Sequence, residues 1–303
     1  QREKGREEWK KSDNTQKLKN SFTPGEKSFV NLLIENNFSS IDKGVKSMKL
    51  NKTSLENLAK KHGITDQNQA KELAELSICH VARVISRQDE SSPKKKYEKI
   101  EQVNLSHRTS QSILLQQYST PAPIGYLAGL FCHFHYGQGI YFEPSAGNGL
   151  LTIAADPKKF YVNEVDETRL KNLSIQGFAS ITSQDATRPF TDYKHKFDGV
   201  ITNPPFGKTD EVDYDGYKIG SLEMVMALMA LDCMKDSGRA AIIIGGHQNF
   251  DKEGRIQAGK NRTFFVYLYK HYHVLDVVNI DGHKLYSRQG TAFDTRLILI
   301  HGR

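Results

Sequence analysis

Phe197-Asp198-Gly199-Val200-Ile201-Thr202-Asn203-Pro204-Pro205-Phe206 is the stretch that decides the fold. Its first six residues are an apolar, β-branched run of strand length, and they stop at an Asn-Pro-Pro turn. Two prolines directly after a strand fix the backbone and remove two N–H donors. Two carbonyl acceptors are left in a rigid frame beside an amide and an aromatic ring. Such a frame suits one task, holding an –NH2 group by both hydrogens against a stacking ring. The plainer alternative is a rigid exit turn with a core phenylalanine.

Upstream, Ile140-Tyr141-Phe142 is a second strand-like run, ending in Glu143-Pro144-Ser145-Ala146-Gly147-Asn148-Gly149. The glycines allow a sharp turn and close approach of the backbone to a ligand, and Leu150-Leu151-x-Ile153-Ala154 after them reads as the start of an apolar helix. The third glycine of a dinucleotide fingerprint is missing, and there is no Gly-Lys-Ser/Thr, so neither NAD nor an NTP-binding P-loop is indicated. Further strands are expected at Phe160-Tyr161-Val162, Ala179 to Thr182, Ala240 to Ile244, Val274 to Ile280 and Thr295 to Ile300, seven with the two above. Helical segments such as Leu222 to Met234 separate most of them. The pattern predicts an α/β fold with a mostly parallel, seven-stranded Rossmann-like sheet covered on both faces. The last two strands have no helix between them, only Gly282 to Gly290, so the final strand is expected to be antiparallel.

Ligands of such sheets bind at the carboxyl ends of the strands, where the polar turns fall. Glu164, about twenty residues past the glycine turn, is placed to accept hydrogen bonds from both hydroxyls of a ribose. Asp166, two residues on, competes for that role, and a surface carboxylate is the alternative. Asp185 follows the third strand and suits an adenine amino group, or equally a turn.

The first third of the chain has another character. Residues 1–25 are polar and charged and are expected to form a disordered basic arm. Residues 26–104 read as a helical domain. Phe29 to Ile34 opens a short helix. Thr53-x-x-Glu56 is a capping-box pattern, and Gly63 closes that helix. Asp66 starts a longer one, with Ala70, Ala74, Ile78, Val81 and Ile85 along one buried face. Ser91-Ser92-Pro93 before three lysines breaks the pattern, and residues 105–303 carry the sheet.

Residues 1–110 hold 22 Lys+Arg against 15 Asp+Glu, and the rest is balanced at 20 against 20. The whole excess of positive charge therefore lies in the first third, which suits a polyanionic partner or simply a solvated lysine-rich surface. Cys79, Cys132 and Cys233 are scattered, so neither a disulfide framework nor a zinc knuckle is expected, and a reducing cytoplasm fits. The histidine pairs His133/His135 and His271/His273 match no metal motif, and no metal is expected. Apolar runs are too short for a membrane span, and the polar N-terminus is no secretory signal. The chain opens at Gln1 rather than Met, as a trimmed piece would.

In order, Gln117-Tyr118-Ser119-Thr120-Pro121, Glu143 to Gly149, Glu164, Asp185 and Asn203-Pro204-Pro205-Phe206 resemble the motifs of S-adenosylmethionine-dependent DNA adenine methyltransferases, over roughly residues 105–303. With Thr-Pro ahead of the glycine motif, the order is similar to their gamma arrangement, as in type I modification subunits. Gln116 to Pro123 and Tyr286 to Thr291 also look like methylases of bacterial mobile elements and phages. The resemblance implies transfer of a methyl group from S-adenosylmethionine to the 6-amino group of a flipped adenine in double-stranded DNA. It implies cofactor contacts at Thr120, Pro121, Glu143, Ser145, Gly147 and Gly149, with Glu164 at the ribose and Asp185 at the adenine. Asn203 and the Pro204 carbonyl would hold the target amino group, with Pro205 fixing the turn and Phe206 stacking on the base. Members usually carry a target-recognition region, and none is visible here. A separate specificity or helicase partner, the helical third, the polar loop Gly207 to Gly220, or Arg255, Lys260 and Arg262 are the candidates for the DNA side, and that acidic loop could equally be a lid over the cofactor. The Asn-Pro-Pro motif also resembles that of RNA adenine and guanine methyltransferases and of enzymes acting on protein glutamine. A non-catalytic nucleic-acid-binding module of the same fold is the remaining alternative.

Overall fold

The computed structural model describes residues 22–42, 50–88, 92–103, 119–246, 252–253, 259–285 and 294–303. Four helices come first: α1 (Pro24–Asp42), α2 (Lys52–Lys61), α3 (Gln67–Ser86) and α4 (Pro93–Gln102). After α5 (Ala122–Phe131) the sheet begins with β1 (Tyr141–Glu143), β2 (Phe160–Asn163), α6 (Glu167–Ser174), β3 (Ser180–Thr182) and β4 (Phe197–Thr202). A hairpin of β5 (Lys208–Tyr214) and β6 (Tyr217–Ser221) follows, then α7 (Leu222–Leu231), β7 (Met234–Gly245), α8 (Lys260–His271), β8 (Val274–Ile280), α9 (Gly282–Leu285) and β9 (Thr295–His301). No described helix is long and apolar enough to cross a membrane.

The seven-stranded sheet has the order β3-β2-β1-β4-β7-β9-β8. β9 is antiparallel to both its neighbours, as expected, and the other pairings are parallel. Successive strand residues point to opposite faces, so the sheet divides its apolar side chains between two cores. Tyr141, Ile201, Ala241, Ile243 and Leu297 pack with α3 and α5 on one face. Phe142, Val200, Ile242, Ile244 and Ile298 pack with α7 and α8 on the other. β4 and β8 fall where their sequences put them. β7 begins six residues before the expected Ala240.

Several local expectations are corrected. The helix starting near Phe29 runs for 19 residues, because the capping box is Thr23-Pro24-Gly25-Glu26. There Glu26 N donates to Thr23 Oγ1 (3.1 Å) and Thr23 N to Glu26 Oε2 (2.7 Å). Phe22 and these residues, the described part of the expected basic arm, are structured, and Phe22 is buried. The N-cap of α2 is Asn51 rather than Thr53, while Asp66 and Gly63 cap as read.

No α-helix follows the glycine turn. Leu150–Thr152 is a single 3-10 turn, and Pro157 lies too close downstream for a helix to extend. Leu150, Leu151, Ile153 and Ala154 are apolar because α5 lies on them. Gly125 and Gly129, one turn apart on α5, permit that approach. A Cβ on Gly125 would stand 2.4 Å from the Leu150 carbonyl oxygen, and one on Gly129 2.5 Å from Ala154 Cβ.

The expected boundary at 104/105 lies outside the described residues, yet packing runs across it. Phe22, Phe29, Leu33, Leu55 and Leu73 form a small core of their own. Further along α3, Ile78, Val81, Ala82 and Ile85 share a core with Phe134, Tyr141, Phe160 and Ile201. The long helix thus belongs to both the helical third and the sheet.

Candidate functional site

Strand order reverses between β1 and β4, and at their carboxyl ends a cleft of about 310 Å³ opens. Thr120, Ser145, Gly147, Glu164, Asp185, Asn203, Pro204, Pro205 and Phe206 all line it. Pro121, Glu143 and Gly149 stand behind the wall. Pro121 caps α5, Glu143 ends β1, and Gly149 closes the glycine turn with φ +95°.

The glycine turn is held from below. Gly147 has φ +55°, and its N–H donates to Glu164 Oε2 (2.7 Å). Glu164 Oε1 accepts from the N–H groups of Val165 (2.8 Å) and Asp166 (2.9 Å). This nearly buried carboxylate therefore ties the end of β2 to the turn after β1. Asp166 is no competitor, because its side chain is the N-cap of α6, accepting from Arg169 N. Asp185 makes a turn with Thr187, whose N–H (2.9 Å) and hydroxyl (2.7 Å) donate to Oδ1. These bonds hold its carboxyl below the usual range. The turn reading and the cleft-lining reading of Asp185 hold together.

Asn203 and Thr120, 83 residues apart, meet here: Asn203 Nδ2 donates to Thr120 Oγ1 (2.9 Å). The bond fixes the plane of the amide at the turn of the two prolines. Phe206 is only partly buried and lines the cleft beside the two prolines.

Three groups escaped sequence reading. Asn163 donates from Nδ2 to Pro144 O (3.0 Å) and Gln184 O (2.9 Å), and its Oδ1 accepts from Gln184 N, so one buried amide pins three strand ends. Glu72, on α3, accepts from Asn148 Nδ2 (2.5 Å), Arg169 Nε (3.0 Å) and Lys71 Nζ (3.1 Å), and all four side chains are buried. Glu75, one turn further, and Arg169 line the cleft itself. For Glu72 and Glu75 the only signal in the sequence was their place on the helix that carries the stripe Ala70, Ala74, Ile78, Val81 and Ile85.

Glu143 is fully buried. Its Oε1 accepts from Ser145 N (3.1 Å), and Oε2 has no hydrogen-bond partner among the described residues. Burial pushes its carboxyl up to about 8, helped by the nearby Glu164 and opposed by the Ser145 hydrogen bonds. From about pH 4.5 to 8 the folded chain keeps a proton that the unfolded chain has released, so stability falls as pH rises across that window. Glu143→Gln without cofactor is expected to melt well above the parent at pH 8 and near it at about pH 5. Melting curves at the two pH values check this, and a pH-independent difference would count against it.

The residues fit a small cationic nucleoside. A Cβ on Gly147 would meet nothing within 4 Å, so bare backbone faces open cleft. Glu164 adds a carboxylate to the cleft wall, and just behind, Glu143 keeps one buried carboxyl oxygen without a hydrogen-bond partner among the described residues.

The polar stretch Gly207 to Gly220, read as a loop, is instead the β5–β6 hairpin. Asp215 (φ +50°) and Gly216 (φ +84°) form its two-residue turn, and Tyr214 and Tyr217 pack on Tyr267 of α8. Of the proposed DNA-side cations, Arg255 lies outside the described residues, while Lys260 opens α8 and Arg262 is exposed in its first turn. Gln116 to Tyr118 and Tyr286 to Thr291 also lie outside them.

No family model matches the chain. It is 26% identical, over 163 aligned positions, to the type II methyltransferase M.AccI of Acinetobacter calcoaceticus, which takes in 47% of this chain. The chain spans only 29% of that relative's length. The type IIG restriction endonuclease BpuSI superposes over 90% of this chain and 34% of its own, with 13% identity and a TM-score of 0.47. A putative class I S-adenosylmethionine-dependent methyltransferase from Listeria monocytogenes superposes over 92% of this chain and 88% of its own, with 12% identity and a TM-score of 0.50. Strand order, the antiparallel strand and this superposition together give the chain the class I S-adenosylmethionine-dependent methyltransferase fold.

Proposed function

We propose that the chain transfers a methyl group from S-adenosylmethionine to the exocyclic 6-amino group of adenine in double-stranded DNA. The observation that carries this reading is the Asn203–Thr120 hydrogen bond, which sets an amide and the proline turn at one end of the cleft whose other end is built from Gly147, Glu164 and Asp185. The type II methyltransferase relative supports a DNA substrate and a restriction–modification setting.

Bound in the cleft, S-adenosylmethionine supplies a methyl group activated by a sulfonium. As the N–CH3 bond forms the S–CH3 bond breaks, leaving a neutral thioether, and the amino group gives up one proton to water, so the chain's residues do little acid–base chemistry. Glu164 holds the ribose hydroxyls and Asp185 the cofactor adenine. The lone pair of an adenine amino group is delocalised into the ring, so the group is a poor nucleophile. Asn203 Oδ1 and the Pro204 carbonyl accept its two hydrogens, localise the lone pair and aim it. That is catalysis by positioning and by tighter binding of the transition state. The flipped base stacks on Phe206, which offsets part of the few kcal/mol that flipping costs.

The hairpin carries Asp210, Glu211, Asp213 and Asp215, a poor surface for phosphates. Sequence selection is therefore assigned to a separate specificity or helicase partner, with the basic first third as the auxiliary contact. Phe206→Ala is expected to weaken engagement of the target by about 5- to 100-fold with cofactor affinity unchanged. Steady-state kinetics on a methylatable duplex measures it, and unaltered kinetics would remove the stacking role. Incubation with labelled cofactor and plasmid, tRNA or rRNA tests the substrate class: label is expected in the plasmid, and label confined to RNA refutes the assignment.

A further inference from the structure

We propose that Glu75, from the helical third of the chain, binds the α-ammonium group of the cofactor's amino-acid tail. This rests on the reading of the cleft as an S-adenosylmethionine site. Glu75 sits on α3, a helix that precedes every element of the sheet, yet it lines the cleft. It is 2% exposed, and its Oε2 accepts a hydrogen bond from the Ser119 hydroxyl. Ser119 adjoins Thr120, which receives Asn203 Nδ2.

Among the described residues three carboxylates line the cleft, and Glu75 is the one that the nucleoside does not take. Glu164 and Asp185 occupy the nucleoside end, and Asn203 marks where the methyl group must lie. The third sulfonium substituent of a cofactor spanning those two points would find its carboxylate partner at Glu75, beside Ser119 and Arg169. The charges agree. Arg169, which pairs with Glu72, also lies within electrostatic reach of Glu75 and lines the cleft, so this wall carries both signs, as the ammonium and carboxylate of an amino-acid tail require. Glu75 stands at an apolar-walled cleft, where a carboxylate gains from a cationic ligand far more than it would in water. A carboxylate accepts up to about four hydrogen bonds, so holding Ser119 is compatible with holding an ammonium.

Binding calorimetry on the whole chain tests this with two probes. S-adenosylhomocysteine has the amino-acid tail, and 5′-methylthioadenosine lacks it. Glu75→Gln is expected to weaken S-adenosylhomocysteine by at least about 30-fold, while 5′-methylthioadenosine changes by less than about threefold and so reports an intact fold. Equal losses for both probes, or no loss, overturn the proposal. Should the variant not fold, the unaltered protein still decides: S-adenosylhomocysteine must outbind its analogue with a hydroxyl in place of the ammonium by a similar factor, and equal affinities overturn the proposal. Failure of the unaltered protein to bind either probe instead refutes the cofactor reading itself, and this assignment with it.

Discussion

Asn203→Ala is expected to lower methyl transfer by about a thousandfold or more, with cofactor affinity changed by no more than a few-fold. The size follows from what the amide does. One acceptor for the target amino group disappears, and the amino nitrogen returns to its planar, poorly nucleophilic state. Nothing at the nucleoside end depends on it, because Gly147, Glu164 and Asp185 are held by their own hydrogen bonds. Thr120 loses the partner that links it to β4, which accounts for the small allowance in affinity. Single-turnover kinetics separates the two effects, and a loss confined to cofactor binding would assign Asn203 to the wrong end of the cleft.

Glu72→Ala is expected to cost about 3–5 kcal/mol of stability, the range for removing one partner from a buried ionic cluster. Total stabilities run to about 5–15 kcal/mol, so the variant is expected to be barely folded at 37 °C. Alanine leaves Arg169 and Lys71 buried without their carboxylate and releases Asn148, the anchor of the glycine turn. Burial by itself disfavours the Glu72 charge, but Arg169 and Lys71 outweigh it and hold the carboxyl well below its ordinary value. That contribution is fully present above the unfolded value of about 4.5 and is lost as pH falls towards the folded one. Urea unfolding at neutral and acidic pH measures both, with a gap between variant and parent that narrows in acid. A loss below about 1 kcal/mol would mean that the cluster is solvated.

The sheet was legible because its strands are short apolar runs closed by polar turns. Phe197 to Thr202 is a mostly apolar run that ends at prolines, so neither its length nor its end was ambiguous. Leu150 to Ala154 misled because apolar spacing reports burial, and only tertiary packing shows whether a helix or a covered loop supplies it. The hairpin was missed although Asp215-Gly216 is a strong turn signal, since its exposed acidic residues masked the alternation of Val212 and Tyr214 with polar neighbours. In the site, the residues on strand ends could be placed from sequence. Glu72, Glu75 and Asn163 could not, because apart from Lys71 beside Glu72 the partners named for them lie 19 to 97 residues away and a buried charge looks, in sequence, like an exposed one.

The central claim is adenine methylation in DNA through Asn203. Long-read mapping of modified bases in DNA of the native host, which also makes the separate specificity or helicase partner, with the parent chain or Asn203→Ala in place, tests it most directly. N6-methyladenine is expected to recur at one short sequence with the parent chain and to be absent with the variant. Unmodified adenine in both, or the same methylation in both, would contradict it.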